Sequence, residues 1–327
     1  MSQTSRPVAS ISLDADNLWS YLKTHGDPGW EKRPTFLPTF LPLALDALDR
    51  LGLSITFFVV GLDADREENQ SALAEITRRG HEVGNHSYEH EQWLHRYDAE
   101  DLEREIVRTE QALLACCGQK PVGFRGPGFS WSPTLLELLA RRGYLYDAST
   151  FPTWMGPLAR WYYFRTARLN PAEQDERALL FGRWSDGLRP LRPYRWKLAE
   201  GNTLLEIPVT TFPGLRVPFH LSYLLYLARV SESLMAGYLR AAIAACRMVG
   251  VQPSFLLHPL DLLGGDLVPA LGFFPGMDLS TATKMRHFDR VHRILGSHFS
   301  LVPMSTHARL LTENPALGFT HPELSVR

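Results

Sequence analysis

Short apolar runs rich in β-branched residues alternate along this chain with longer segments of helical periodicity. The runs that predict strands are residues 8–13, 53–60, 122–124, 204–209, 254–257 and 299–302. The segments that predict helices are residues 41–51, 70–79, 99–117, 133–142, 221–248 and 283–295. This alternation predicts an α/β fold with a parallel sheet and outer helices, either as a barrel or as a doubly wound sheet.

One stretch, at about residues 153–202, departs from the alternation because arginine and aromatic side chains crowd it. Its members are Arg160, Arg165, Arg168, Arg177, Arg183, Arg189, Arg192 and Arg195, with Trp161, Tyr162, Tyr163, Phe164, Phe181, Trp184, Tyr194 and Trp196. One interpretation is an irregular insertion whose arginines are exposed to water and whose aromatic rings pack against the barrel. The composition also suits a substrate-binding cap, with aromatic faces for sugar rings and guanidinium groups for a phosphate. Both interpretations remain open.

Chain length and composition set limits on the class of protein. At 327 residues the chain is long for one domain but within the range of an α/β barrel. We predict a single domain over 8–312, with the arginine-rich stretch as an insertion, and a tail over 313–327. The net charge of -1 argues against a dedicated nucleic-acid binder, which normally carries a basic excess. Three cysteines, two of them adjacent, suggest no disulfide framework. With no apolar run of signal-peptide or membrane-span length, the expectation is a cytoplasmic protein.

Two acidic residues, Asp14 and Asp16, end the first predicted strand. Side chains at positions i and i+2 of a strand lie on one face, and ligands of α/β proteins bind at the carboxyl ends of parallel strands. Two neighbouring carboxylates repel each other unless a cation neutralises one of them. The pair therefore predicts a metal site, although a solvated strand end that caps the next helix would also explain it.

His86 and His90 follow a short strand-like run at 81–84. If a helix begins there, the two imidazoles lie on one face and both can reach one ion. Together with Asp16 they make a three-ligand site with an open position, which is typical of catalytic zinc. Asp14, held off the metal, could then take a proton from water. In a chain with 12 histidines, a chance pair at this spacing is the competing interpretation.

The predicted strand 122–124 leads into Arg125 and a turn rich in glycine and proline. An arginine in this place can hold a neighbouring carboxylate through two parallel hydrogen bonds. The backbone N–H of Gly128 or Phe129 could stabilise an oxyanion, a role that Pro127 cannot take because it has no N–H. A turn without any function is the alternative.

Two more polar residues, Asp147 and His258, follow short predicted strands. His258 is a candidate general acid that protonates a leaving amine, and Asp147 is a candidate partner that keeps it charged. A histidine after an apolar strand is also commonly a structural residue.

Five segments, at 13–16, 86–90, 125–130, 146–152 and 257–259, together resemble the polysaccharide deacetylase family, also called the NodB-homology group or carbohydrate esterase family 4. Residues 86–90 match its His-Ser/Thr-x-x-His motif, and residues 13–16 resemble the branch written Asp-x-Asp or Asp-Val-Glu-Asp. The resemblance implies a distorted (β/α) barrel with parallel strands and outer helices. It also implies that Asp14 is the catalytic base and that Asp16 binds the metal, usually zinc, with cobalt or nickel in relatives.

The resemblance implies a metal-dependent hydrolase that removes an N-acyl group, acetyl or formyl, from an amino sugar, which can be linked to a lipid or a nucleotide. Two alternatives use the same fold: an amidohydrolase of small cyclic imides or ureides, and a barrel that binds glycans without catalysis. The apolar run 220–230 is too short to span a bilayer but could contact its surface. A buried helix is the other interpretation of that run.

Overall fold

The described part of the chain, in a computed structural model, is residues 6–167, 174, 182–313 and 316–322. Its strands are β1 (Val8–Asp14), β2 (Thr56–Val59), β3 (Glu82–Asn85), β4 (Gly123–Phe124), β5 (Tyr146–Asp147), β6 (Tyr194–Lys197), β7 (Thr203–Glu206), β8 (Ser254–Leu257), β9 (Ser300–Val302) and β10 (Phe319–Thr320). Its helices are α1 (Leu18–His25), α2 (Leu37–Leu51), α3 (Gly61–Asp65), α4 (Glu67–Arg78), α5 (Ala99–Cys117), α6 (Pro133–Arg141), α7 (Gly156–Thr166), α8 (Leu221–Val230), α9 (Glu232–Met248), α10 (Thr281–His298) and α11 (Met304–Thr312).

The strands form one mostly parallel sheet in the order β10-β6-β7-β5-β4-β3-β2-β1-β8, with β9 also paired to β1. The β6–β7 pair is antiparallel, and the other strand pairs are parallel. The predicted α/β architecture is therefore confirmed. Over the described ranges, this order contains no pairing that joins β8 to β10, so the backbone hydrogen bonds do not close the sheet into a complete barrel.

The predicted elements match where the pattern is long or fully apolar, as in α5 and β8. The predicted helix over 221–248 was wrong in one respect, because it is two helices that meet at Ser231. Ser231 has extended backbone (φ -165°), and its side chain accepts a hydrogen bond from the N–H of Ser233, which caps α9. Within the described residues, no helix combines the length and apolar character that crossing a bilayer requires.

The arginine-rich stretch is only partly irregular. Its first half contains α7, and its second half contains β6, which pairs with β7 inside the sheet. The predicted tail also contributes to the sheet, because β10 pairs with β6. Three predicted members of the stretch, Arg168, Arg177 and Phe181, lie outside the described residues.

The sheet brings the predicted site residues to one edge. Strands β1, β4, β5 and β8 end in, or directly before, Asp14, Arg125, Asp147 and His258. Because neighbouring strands are parallel, these carboxyl ends lie side by side above a buried apolar core. The fold therefore places residues from distant parts of the chain in one candidate site.

Candidate active site

The structure brings Asp16, His86 and His90 together. Oδ1 of Asp16 lies 2.9 Å from Nε2 of His90 and 3.3 Å from Nε2 of His86. One ligand atom from each residue lies within 4.8 Å of the other two. Asp16 comes from the loop after β1, and the two histidines come from the loop after β3.

The two histidines do not lie on a helix, which was the condition under which their spacing would place both rings on one face. Residues 86–90 form a loop in which Ser87 (φ 60°) and His90 (φ 56°) have left-handed backbone. Glu105 on α5 holds this loop, since its Oε2 accepts hydrogen bonds from the N–H groups of Tyr88 (2.7 Å) and Glu89 (3.0 Å). A buried carboxylate from another element thus brings the imidazoles together, as a helical turn was expected to do.

The protonation pattern of the two rings suits a metal. Nδ1 of His86 lies 2.6 Å from the carbonyl oxygen of Arg125, which only accepts, so Nδ1 carries a proton and Nε2 is the nitrogen that faces Asp16. Burial lowers the pKa of His86, but the hydrogen bond with Asp16 and the charge of Asp14 outweigh burial and raise it, and a cation bound at Nε2 would take the place of the second proton. Burial lowers the pKa of His90, which favours the neutral ring that a ligand needs. Two imidazole nitrogens and one carboxylate oxygen are a donor set that zinc, cobalt and nickel all accept. The residues present therefore fit one divalent metal ion.

A network that the sequence did not indicate holds the Asp16 loop. Oδ1 of Asn17 accepts hydrogen bonds from the N–H groups of Leu18 and Phe36, and its Nδ2 donates to Asp63. Nε1 of Trp19 donates to the same oxygen of Asp63, at 3.0 Å. Burial raises the pKa of Asp63 to about 6. These bonds fix the start of α1 and, with it, the backbone that presents Asp16.

Asp14 is held by Arg125, as predicted, but with a different geometry. Nη1 of Arg125 donates to Oδ1 of Asp14 at 2.6 Å and to Oγ of Ser12 at 2.8 Å, so the hydrogen bonds are shared between two residues instead of forming a parallel pair on one carboxylate. The guanidinium is fully buried, and its Nε donates to the carbonyl of Ala148. Oδ2 of Asp14 faces Nε2 of His258 at 4.0 Å.

His258 has a different acidic partner from the one predicted. Oδ2 of Asp261 accepts a hydrogen bond from the backbone N–H of His258 at 2.8 Å and lies 3.8 Å from its Nδ1. Burial lowers the pKa of His258, but the Asp261 carboxylate and then the Asp14 charge outweigh burial and raise this pKa to about 9. The spacing His-Pro-Leu-Asp was the available signal, since an acid three residues after a turn begins commonly caps it.

Lys284 on α10 holds the loop that carries His258 and Asp261. Its ammonium group is buried and donates to the carbonyl oxygens of Leu260 (2.6 Å) and Leu263 (2.8 Å). Burial lowers the pKa of this lysine to about 8. The buried ammonium group thus holds the backbone of the loop that carries His258, the candidate general acid.

Asp147, the predicted partner of His258, instead pairs with Glu206, and both carboxyl groups are buried. Its Oδ1 accepts from Oγ of Ser149 at 2.6 Å, and Ser149 in turn accepts from the N–H of Gly126 at 2.8 Å. Burial and the charge of Asp147 raise the pKa of Glu206 well above its usual range. Asp147 is not the partner of His258 because β5 pairs with β7, and this pairing places Asp147 beside Glu206. Asp147 therefore supports the turn after Arg125.

The backbone of that turn is left-handed at two successive residues. Gly128 (φ 58°) and Phe129 (φ 62°) are both left-handed, and the N–H of Phe129 donates to the carbonyl of Gly126 at 2.9 Å. An oxyanion at Phe129 would compete with this hydrogen bond, so Gly128 is the better candidate of the two predicted donors. The ring of Phe129 packs against Phe151 at 4.8 Å between centroids.

His220, which the sequence analysis did not select, lies at the same edge. Its ring centroid is 5.9 Å from that of His258 and 5.7 Å from that of Phe151. Burial and the neighbouring charge of His258 lower the pKa of His220 to about 3, so the ring is neutral. A continuous row of rings therefore runs from the turn at Phe129 to the candidate acid.

Comparison with known proteins finds a family match for part of the chain. Residues 27–146 match the family described as polysaccharide deacetylase. Over these residues the chain is similar to the polysaccharide deacetylase family. A structure from Mycobacterium smegmatis, provisionally described as a polysaccharide deacetylase, covers 98% of this chain and 96% of its own, with a TM-score of 0.62 and 20% identity, and it supports the fold.

Two curated relatives share parts of the sequence. A chitooligosaccharide deacetylase from Sinorhizobium fredii is 31% identical over 107 residues, which are 32% of this chain and 48% of the relative. A peptidoglycan-N-acetylglucosamine deacetylase from Bacillus cereus is 32% identical over 88 residues, which are 27% of this chain and 31% of the relative. The chain thus spans less than half the length of either relative.

Proposed function

We propose that this protein is a metal-dependent hydrolase that removes an N-acyl group, acetyl or formyl, from an amino sugar. The observation that carries the proposal is the convergence of Asp16, His86 and His90 within 4.8 Å, with Asp14 and His258 beside them. The family supports amide hydrolysis on acylated amino sugars, as the names of the two relatives indicate.

The three ligands would hold one divalent ion, most simply zinc, with cobalt or nickel as alternatives. When bound, such an ion polarises the acyl carbonyl and makes a water molecule more acidic. The chemistry that remains for the protein is to accept one proton, to deliver another and to stabilise negative charge. Each of these tasks has a candidate residue in the structure.

Asp14 accepts the proton of the attacking water. Arg125 occupies Oδ1 of Asp14, so Oδ2 is the atom that takes this proton. The hydrogen bond from Arg125 keeps the carboxylate oriented toward the site. The charge of Asp14 acts on His86, so the base lies next to the metal ligands without having to bind the metal itself.

His258 protonates the departing amine of the sugar. A raised pKa of about 9 keeps its imidazole charged near neutral pH, as a general acid requires. Its side chain keeps 24% of its surface exposed and is therefore accessible to a substrate. Asp261 acts through His258, by orienting the ring and stabilising its charge, and is a positioning residue.

The turn after Arg125 stabilises the negative charge that forms on the acyl oxygen. The N–H of Gly128 is the proposed donor, and the buried contact of Ser149 with Gly126 keeps the turn rigid. The ring of Phe129 lies at the same turn and closes one side of the acyl position.

The test is release of a free amine and a carboxylic acid from defined substrates. Purified protein with added zinc is incubated with acetylated chitooligosaccharides and with N-formyl amino sugars, and acetate and formate are measured separately. We expect one of the two acids to be released in equal amount to the new free amine. Release of ammonia or ring-opened acid from cyclic imides, with neither acid from the sugars, would replace this proposal by the imide or ureide alternative.

A further inference from the structure

A group of exposed apolar side chains lies near the turn after Arg125. We call it the Trp154 surface, and its six members are Trp154, Leu158, Trp161, Trp184, Leu188 and Leu215. The most exposed are Leu188 at 86% and Trp161 at 60%. Large apolar side chains are normally exposed singly, so a concentration of this kind marks an interaction surface.

Direct contacts join the members around Trp154. The rings of Trp154 and Trp184 stack with their centroids 5.9 Å apart and their planes 8° from parallel. Nε1 of Trp154 donates to the carbonyl of Leu215 at 2.7 Å. Gly187 packs so closely that a Cβ there would lie 3.1 Å from the backbone nitrogen of Trp154, and Leu188 follows this glycine. These contacts join the rings of Trp154 and Trp184 and place the backbone of Leu215 and of the residue before Leu188 next to Trp154.

Helix α7 begins two residues after Trp154 and carries two further exposed members. Leu158, Trp161 and Arg165 are spaced by three and four residues and so share one helix face. The guanidinium of Arg165 lies 5.0 Å from the ring centroid of Trp161. Arg160 donates to the carbonyl of Gly182, which ties α7 to the segment that carries Trp184 and Leu188.

The surface lies in the most basic part of the chain. Residues 153–202 contain eight arginines and one lysine against five acidic residues, a net charge of +4. The whole chain has a net charge of -1, so the remaining residues carry -5. The described residues of this stretch, 153–167, 174 and 182–202, contain six arginines and one lysine against two acidic residues, and they include five of the six members of the surface.

We propose that the Trp154 surface binds the anionic face of a lipid bilayer. Tryptophan rings suit the headgroup level, leucines can enter the hydrocarbon, and basic side chains attract anionic lipids. A free glycan fits less well, because three of the six members are leucines, which offer no ring for stacking on sugars. A second copy of the chain also fits less well, because it would bring two segments of +4 together.

The surface replaces the run 220–230 as the candidate membrane contact. In α8 the side chains of Leu221, Leu224 and Leu225 are buried, so most of the apolar character of that run belongs to the core. The proposal does not depend on the hydrolytic chemistry of the site. It does place a bilayer beside the edge where the substrate binds, because Trp154 follows Phe151 by three residues and Phe151 packs on Phe129.

Vesicle cosedimentation tests the proposal with the full chain. The test variant combines Leu188→Ser with Leu215→Ser, and the matched control is Leu310→Ser, a 48% exposed leucine on α11. We expect the unmodified protein and the control to bind vesicles of phosphatidylcholine mixed with phosphatidylglycerol more strongly than pure phosphatidylcholine, and less strongly at high salt. The double variant should bind the anionic vesicles at least about tenfold more weakly, since each leucine loses its burial in hydrocarbon.

Three results would overturn the proposal: no binding of the unmodified protein to anionic vesicles, equal binding by the double variant, or self-association through the surface without vesicle binding. Hydrolysis of a soluble oligosaccharide by the double variant should stay unchanged, which also shows that it is folded. A protein that binds vesicles but hydrolyses no acylated sugar would support this surface and overturn the proposed function.

Discussion

Nη1 of Arg125 donates a hydrogen bond to Oδ1 of Asp14 over 2.6 Å, although the two residues are 111 positions apart in the chain. The contact joins the ends of β1 and β4 and fixes the carboxylate beside the three candidate ligands. A fully buried guanidinium needs such a partner, because an unpaired buried charge costs several kcal/mol. The pair therefore stabilises the fold and orients the proposed base through one bond.

Asp14→Asn tests the role of the base. The amide keeps an oxygen for Arg125 but cannot accept a proton, so kcat should fall by about 10²–10⁴ while bound metal is retained. Activity and metal content are measured on the same sample, with Asp46→Asn, an exposed acid on α2, as the control. Undiminished activity of Asp14→Asn would reject this role for Asp14.

His90→Ala tests the metal site. Removing one of three protein ligands should reduce bound zinc well below one ion per chain and abolish hydrolysis with it. Elemental analysis after dialysis gives the stoichiometry. His298→Ala, at a histidine that contacts Arg247 far from the site, should bind metal like the unmodified protein. A full equivalent of zinc in His90→Ala would contradict the assignment of the ligands.

The sequence predicted the edge of the sheet at which the polar residues meet. Strands can be predicted from local apolar runs, and the carboxyl ends of parallel strands lie at the same edge of a sheet. It also predicted the convergence of Asp16 with His86 and His90. It did not predict how the convergence is achieved, since the left-handed loop depends on Glu105, which comes from α5. The predicted partner of His258 was wrong for a similar reason. The pairing of β5 with β7 places Asp147 beside Glu206, and no local sequence pattern indicates this pairing.

Asp261→Asn tests what keeps His258 charged. The pKa of His258 is raised to about 9, so a general acid there works below this pH and activity should fall as pH rises through it. Loss of the Asp261 carboxylate should lower the pH at which kcat falls on the alkaline side by about one to three units. Titration of the His258 ring by NMR gives the same shift without relying on turnover.

Asp147→Asn is the matched comparison for that experiment. Asp147 contacts Ser149 and lies beside Glu206, so its loss should affect stability and leave the pKa of His258 near 9. A shift of the His258 titration in Asp147→Asn, with none in Asp261→Asn, would return the partner role to Asp147.

Two glycines test how tightly the turn after Arg125 is packed. A Cβ at Gly126 would lie 1.9 Å from the carbonyl oxygen of Ser130, so Gly126→Ala must displace backbone. We expect a loss of about 1–3 kcal/mol in the free energy of unfolding, comparable to overpacking a core. Gly237→Ala in α9 meets no atom within 4 Å and should stabilise the protein by about 0.5–1 kcal/mol. Denaturant unfolding of both variants measures the difference, and equal stabilities would contradict the packing of the turn.

We propose above all that Asp16, His86 and His90 bind one metal ion that amide hydrolysis requires. The most direct measurement is the rate of acetate or formate release from an acylated amino-sugar substrate while zinc is titrated into chelator-stripped protein. We expect negligible activity without metal and a linear rise that ends at one zinc ion per chain. Full activity of the stripped protein, or a rise that is unchanged in His90→Ala, would contradict it.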